Sequence, residues 1–453
     1  MGQNDALAPT PSADSNGIAA AGWRIVLLAS LGGALEFYDF VIFGIFAKDI
    51  ADAIFPNPTP FVSLMVSFAT FAVGYLARPV GGVVLSHFGD RYGRRQVFLV
   101  SIFVMSGATL GMGLVPTFAT WGVAASVTMV LLRVVQGFCL GGELPGALTY
   151  VVETAPRQAP FVCGIVFACV TTGVAVATGV SVGVRTFLPP PIIATYGWRI
   201  AFVLGGLGGL LSFFLRRSLE ESPEFARMQQ VKAKRPFQEV LRTRPGAVVT
   251  GIATLAATGG FNGLFFAHMP AYLSSVLGYD PRQAVVAQSL GVMANAIAIL
   301  TVGRFGTILH PRLWLQGGAV LMMALTYPFY AALAAKQIDP AVFLVLGGLC
   351  AGLTNGSFAC LLTDLFPTRI RFSGVALVFN VAFTIFSGTA PLVATTLIKE
   401  TGSSAAPSLV MIGCAAVAFI GSLGLKRYGG HVVRPAAADD TVSAPRLAAA
   451  EPD

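Results

Sequence analysis

Charge is what this sequence has least of. Of its 453 residues only 11% are Asp, Glu, Lys or Arg, against 55% hydrophobic ones, and the mean hydropathy is +0.75. So little polar surface cannot cover a water-soluble globule of this length, which leaves lipid as the solvent. Cysteine is sparse too. Cys139, Cys163, Cys169, Cys350, Cys360 and Cys414 lie in apolar stretches without metal-ligand spacing, so neither disulfides nor a metal is expected. No GxxxxGK[ST] is present, and no strand precedes glycine runs such as Gly205-Gly206-Leu207-Gly208-Gly209, which argues against nucleotide binding and an ATP-driven pump. Nucleophile–base pairings and metal clusters are likewise missing, so the chain is not read as an enzyme and no cofactor is expected. Residues 1–21 lack the basic start and apolar stretch of a signal peptide and are expected to form a disordered cytoplasmic tail.

What is abundant is apolar sequence in lengths of about 20 residues or more, enough to cross a bilayer as a helix. The expected spans are 22–47, 60–86, 97–116, 122–150, 160–188 and 198–215, then 246–273, 283–303, 313–335, 341–363, 372–398 and 407–425. Six precede a charged segment and six follow it. Residues 22–215 and 246–425 are therefore read as two helical halves, 216–245 as a linker and 426–453 as a C-terminal tail. A net charge of +8 invites the thought of nucleic acid, but the placement of the basic residues speaks for membrane topology. Of 29 Lys and Arg, 21 fall on the side that holds the termini and linker, six on the other and two inside spans. By the positive-inside bias both termini are cytoplasmic. The expected setting is a bacterial-type inner membrane, and the protein is expected to work as a monomer with no nucleic-acid partner.

The halves look like copies of one unit. Gly141 to Gly164 and Gly352 to Gly374 share an acid twelve residues after the first Gly (Glu153, Asp364), a Pro three residues later (Pro156, Pro367), and then Arg157 and Arg369. Paired repeats with a site between them at mid-membrane are a recurrent transporter architecture.

Between spans two and three stands Gly89-Asp90-Arg91-Tyr92-Gly93-Arg94-Arg95, which resembles the signature loop of the major facilitator superfamily. The usual Gly four residues before the Asp is Ser86 here, and the equivalent second-half loop, 303–312, has Thr307 in place of the Asp and Pro311 in place of an Arg. Within that superfamily, Gly33-Ala34-Leu35-Glu36-Phe37-Tyr38-Asp39-Phe40, Arg78-Pro79-Val80-Gly81-Gly82, Arg133-Val134-Val135-Gln136-Gly137, Gly141-Gly142-Glu143 and Gly197-Trp198-Arg199 resemble the metabolite:proton symporter family. The resemblance implies an all-α membrane fold of 12 transmembrane helices in two six-helix bundles. It also implies gating by charge pairs that break and re-form as the halves rock, with Asp90, Arg91, Arg94, Arg95, Glu153, Asp364 and Arg369 as candidates. The degenerate second loop makes that gating lopsided, with the first-half loop and Glu153 doing more.

Two carboxylates near the middle of span one, Glu36 and Asp39, are three residues apart on one helix face. Ionisable groups at such depth are costly and commonly face a cavity and do work, so these two, with Glu143, are the proton-coupling candidates. The alternative is that Asp39 binds backbone and Glu36 pairs permanently with an arginine. Arg133, near the middle of span four with Gln136 one turn on, cannot shed its charge and must meet a carboxylate of the protein or of an anionic cargo. Arg78 has the same options, or braces the helix beside Pro79. In span seven Phe261, Phe265, His268 and Tyr272 are spaced to share one face, with Asn262 alongside; span ten offers Asn355. Spans one, four, seven and ten line the cavity in the superfamily, so the resemblance implies that these groups lie near substrate.

The leading expectation is proton-coupled symport, by alternating access, of a small organic anion such as citrate or 2-oxoglutarate. A proline or betaine permease is the alternative, disfavoured by a tail without the heptads of an osmosensing coiled coil. A receptor that binds a metabolite without moving it is the third, disfavoured by the lack of large polar tails.

Overall fold

The computed structural model describes residues 20–92, 94–217 and 236–432; within these ranges the side chains of residues 20–22, 24–29, 31, 32, 36, 86, 87, 89–92, 94–98, 154, 215–217 and 236 lie outside the described set. Twelve long helical segments follow one another: α1 Ala20–Ile45, α2 Pro60–Tyr92, α3 Arg94–Leu114, α4 Val123–Glu153, α5 Pro156–Phe187, α6 Pro190–Phe214, α7 Pro245–Val276, α8 Pro281–Phe305, α9 Pro311–Ala334, α10 Pro340–Asp364, α11 Thr368–Thr401 and α12 Pro407–Tyr428. Ten of them are long and apolar enough to cross a membrane over their described residues. Every span expected from hydropathy is present, with ends displaced by a few residues.

Local chemistry sets those ends. Proline opens α2, α5, α6, α7, α8, α9, α10 and α12, where its missing N–H is no loss and its fixed φ suits the first turn. Asp280 caps α8 by accepting from the N–H groups of Arg282 and Gln283 at 2.9 and 3.1 Å, and Asp339 caps α10 through Ala341 at 2.7 Å. At the start of α9 the cap is His310, whose Nδ1 accepts from the Arg312 N–H at 3.2 Å.

Polarity is inverted relative to a water-soluble protein. Large apolar side chains such as Phe187, Leu114 and Ile420 stand exposed on the outside, while Arg78, Arg133, Asp39 and Gln136 are buried at 1% exposure or less. An apolar exterior of this extent fits lipid. Small residues allow the close crossings inside. Gly137 of α4 lies against the Gly74 backbone of α2, a contact that any Cβ at Gly137 would destroy.

The halves meet along α5 with α8, α2 with α11, α1 with α7 and α4 with α10 and α11. Part of the linker is helical. Pro236–Thr243 is a helix whose Val240 is fully buried and whose Glu239 pairs with Arg369 of α11 at 3.1 Å. Residues 216 and 217 still belong to the helical run that ends α6. The N-terminal tail, most of the linker and the end of the C-terminal tail lie outside the described residues.

Candidate functional site

A chain of polar groups runs through the first bundle. Arg133 of α4 has no exposed surface. Its Nη1 donates to Gln136 Oε1 and its Nη2 to the Phe40 carbonyl at 3.1 Å. Its guanidinium lies over the rings of Phe40, Phe43 and Phe71 at 3.8, 4.7 and 5.1 Å, contacts that favour a cation held out of water. Gln136 passes the chain on, donating through Nε2 to the Asp39 carbonyl at 3.3 Å and to Thr109 Oγ1 of α3 at 2.9 Å. Thr109 reaches Asp39 Oδ2 at 3.4 Å. Arg133, Gln136 and Asp39 are thus brought together, linked by a residue that sequence reasoning missed; a single threonine in an apolar span carries no signal.

Asp39 points between α3 and α6. Its Oδ1 lies so near Gly205 that a Cβ there would collide with it, and Gly209 sits beside its other oxygen and Ser106. The glycine run of α6 therefore makes room for a buried carboxylate. Among the described residues Asp39 Oδ1 and Arg133 Nε have no hydrogen-bond partner, and no carboxylate lies within ion-pair distance of Arg133. The side chain of Glu36, the other acid of the pair, lies outside the described set.

Arg78 of α2 sits against Phe40, Tyr75 and, across the interface, Phe379 of α11, at 5.4, 5.3 and 5.9 Å. Glu143 stands half-buried where α4 restarts after the interruption at residues 140–142.

In the second bundle the expected single face of α7 is divided. A π-helical stretch, Asn262–His268, shifts the register, as such turns do. Phe261 and Phe265 stack at 4.3 Å, and Phe265 meets Phe343 of α10. His268 instead faces Phe68 of α2 at 5.4 Å and bonds Thr395 of α11 through Nε2 at 3.1 Å, with Nδ1 unpartnered among the described residues. Tyr272 gives its hydroxyl to the Ser404 carbonyl at 2.7 Å. Asn262 donates to Thr258 of its own helix at 2.7 Å, and Asn355 bonds Asn295 of α8 at 3.3 Å. Of these, His268 is the one whose ring packs on the first bundle.

On the side where α6 ends and α7 begins, Glu153 of α4 accepts from Arg371 of α11 at 2.8 Å, a cross-bundle ion pair with both side chains mostly buried. Arg371 was not singled out; Arg369, two residues earlier, pairs instead with Glu239. Asp364 accepts from the N–H groups of Gly430 and Val432 at 2.7 and 2.6 Å. The side chains of Asp90, Arg91, Arg94 and Arg95 lie outside the described set. Nearer mid-membrane, Asn380 of α11 donates to the Gly141 carbonyl at 2.6 Å and Thr384 to that of Tyr75 at 2.8 Å.

Two apolar helical bundles joined by polar contacts, with a buried cation and carboxylate in one of them, have the form of a membrane transporter. A family model described as Major Facilitator Superfamily matches residues 29–391, and the chain belongs to that superfamily. It is 32% identical over 395 residues to a citrate-proton symporter of Salmonella typhi, covering 86% of this chain and 91% of that one. Over 438 residues it is 31% identical to a glycine betaine/proline/ectoine/pipecolic acid transporter of Dickeya dadantii, covering 92% and 86%. Among solved structures, the proton:xylose symporter XylE has the same fold, with TM-score 0.73 and 15% identity over 91% of this chain and 96% of that one.

Proposed function

We propose that this protein is a proton-coupled symporter of a small organic anion, a di- or tricarboxylate such as citrate or 2-oxoglutarate. One observation carries the reading: Arg133 is fully buried, held in place by Gln136, Phe40 and three aromatic rings, and has no carboxylate partner among the described residues. A permanent cation in a lipid-embedded interior is stabilised by an incoming anion, and its planar fork suits a carboxylate. Asp39, with Glu36 one turn before it, is the proton carrier in this reading; Arg78 is the second candidate contact for the anion and His268 the candidate from the second bundle.

The Lys and Arg distribution supports placing both termini in the cytoplasm of a bacterial inner membrane. Residues 22–215 and 246–425 would then rock about the substrate, with Glu153 and Arg371 among the groups that part on the cytoplasmic side. Relatives named for betaine and proline transport support a zwitterionic cargo as the second reading, and its carboxylate would meet the same arginine.

Uptake into proteoliposomes tests this. Citrate, 2-oxoglutarate, proline and glycine betaine are offered with and without an inward proton gradient. Accumulation of one of them that collapses with an uncoupler and with Arg133→Ala is expected; accumulation indifferent to both would overturn the reading.

A further inference from the structure

Asp39 raises a physical difficulty for any proton cycle. A carboxyl at 1% exposure, closed in by α3, α4 and α6, needs hydrogen-bond partners both with and without its proton, since an unmet buried polar group is destabilising. The titratable groups facing it among the described side chains are Arg133 on α4 and, on its own helix, the Tyr38 phenol, whose hydroxyl is committed to the Ala201 carbonyl at 2.9 Å. The described parts of α3 and α6 bring hydroxyls and glycine backbone to the carboxylate.

The Thr109 hydroxyl meets the requirement. A hydroxyl has one proton to donate and two lone pairs with which to accept. One lone pair receives Gln136 Nε2 at 2.9 Å, and the proton has two acceptors within reach: Asp39 Oδ2 at 3.4 Å and the Met105 carbonyl one turn back at 3.0 Å. Other threonines in the spans, such as Thr70, Thr171 and Thr254, donate to the carbonyl one turn back; Thr109 has in addition a buried carboxylate facing it.

Resting on the reading of Asp39 as the proton site, we propose that Thr109 is a positioning residue for the proton, a hydroxyl rotor with two settings. When Asp39 is charged, the hydroxyl donates to Oδ2. When Asp39 holds a proton, that O–H donates to the free lone pair of Thr109 and the hydroxyl turns to the Met105 carbonyl. Gln136 stays bonded in both settings, its own amide orientation fixed by Arg133 on Oε1 and the Asp39 carbonyl on Nε2. Asp39 Oδ2 then keeps a partner in both protonation states without moving a helix, and the change reaches Gln136, one bond away from the Arg133 guanidinium.

Infrared titration of the full chain in lipid tests this, with the Asp39 carboxyl band assigned by its loss in Asp39→Asn. Wild type and Thr109→Ser are expected to share one titration midpoint, while Thr109→Val, which keeps the shape and removes the hydroxyl, moves the midpoint by about one unit or more. Thr109→Ala serves if the valine variant does not fold. A midpoint unchanged by loss of the hydroxyl, with or without a drop in thermal stability, overturns the rotor. A wild-type band that does not titrate at all sinks the proton-site reading itself, so the two failures are distinguishable.

Discussion

At Arg133 charge and shape separate. Lysine would keep the positive charge but lose the fork that holds Gln136 and the Phe40 carbonyl together, so Arg133→Lys tests geometry alone. Each charge-assisted hydrogen bond is worth about 1.5–3 kcal/mol, which predicts a fall in kcat/KM of about ten- to a hundredfold for the lysine variant, with proton dependence retained, in vesicle uptake. The same physics explains the silence around Thr109. Its type is common and its position unremarkable, and only the three-dimensional approach of α1, α3 and α4 gives it a carboxylate to face.

Two histidines at helix termini on the linker side, outside the spans, are sensitive to pH. Burial pushes the imidazole of His310 below its ordinary value of 6.5, with Asp364 opposing the shift and Arg312 adding to it. His431 is lowered as well, by burial and by Arg244 and Arg371 against Asp364. The unfolded state therefore takes up protons first as pH falls through the ordinary histidine range, so this contribution to stability is complete above that range and is lost on acidification. Protonation also removes the lone pair with which His310 caps α9. His310→Asn keeps a capping acceptor and cannot titrate, so the drop in thermal midpoint of the detergent-solubilised protein between about pH 7.5 and 5.5 should be smaller in the variant than in wild type. The cross-bundle pair offers a second test at this scale. Glu153→Gln leaves the buried Arg371 short of its charged acceptor, at a cost of about 1–3 kcal/mol; it should lower the thermal midpoint and speed thiol labelling of Cys163, and the swap Glu153→Arg with Arg371→Glu should recover part of both.

For the molecule as a whole, the bundles touch on both sides of the mid-plane. Phe167 and Phe358 stack edge to face at 4.7 Å towards the linker side, while Phe68 and His268 meet in the other half. This arrangement is closed between the halves and must open to pass a cargo. Cys163 on α5 and Cys360 on α10 are both buried and lie close to each other across the interface. A thiol oxidant should therefore join the bundles and stop uptake, and a reductant should restore it; Cys163→Ser should be immune. Uptake that continues after the two are joined would show that the linker side does not part at this point.

Hydropathy alone determined the lipid-embedded class, the six-plus-six division and the twelve spans, because a bilayer imposes length and apolarity on every crossing segment whatever its neighbours. The repeat of Glu153 and Asp364 was legible too, and so was the depth of Asp39 and Arg133. Partnership was not. That Glu153 meets Arg371 rather than Arg369, that part of the linker folds onto α11, that a π-turn sends His268 away from Phe261, and that Thr109 joins Asp39 to Gln136 were all settled by tertiary packing. Such pairings depend on the rotation and crossing of helices, which glycine contacts such as Gly137 on Gly74 and Gly205 on Asp39 set to within a fraction of a turn, and a linear pattern of apolar residues holds no record of that angle.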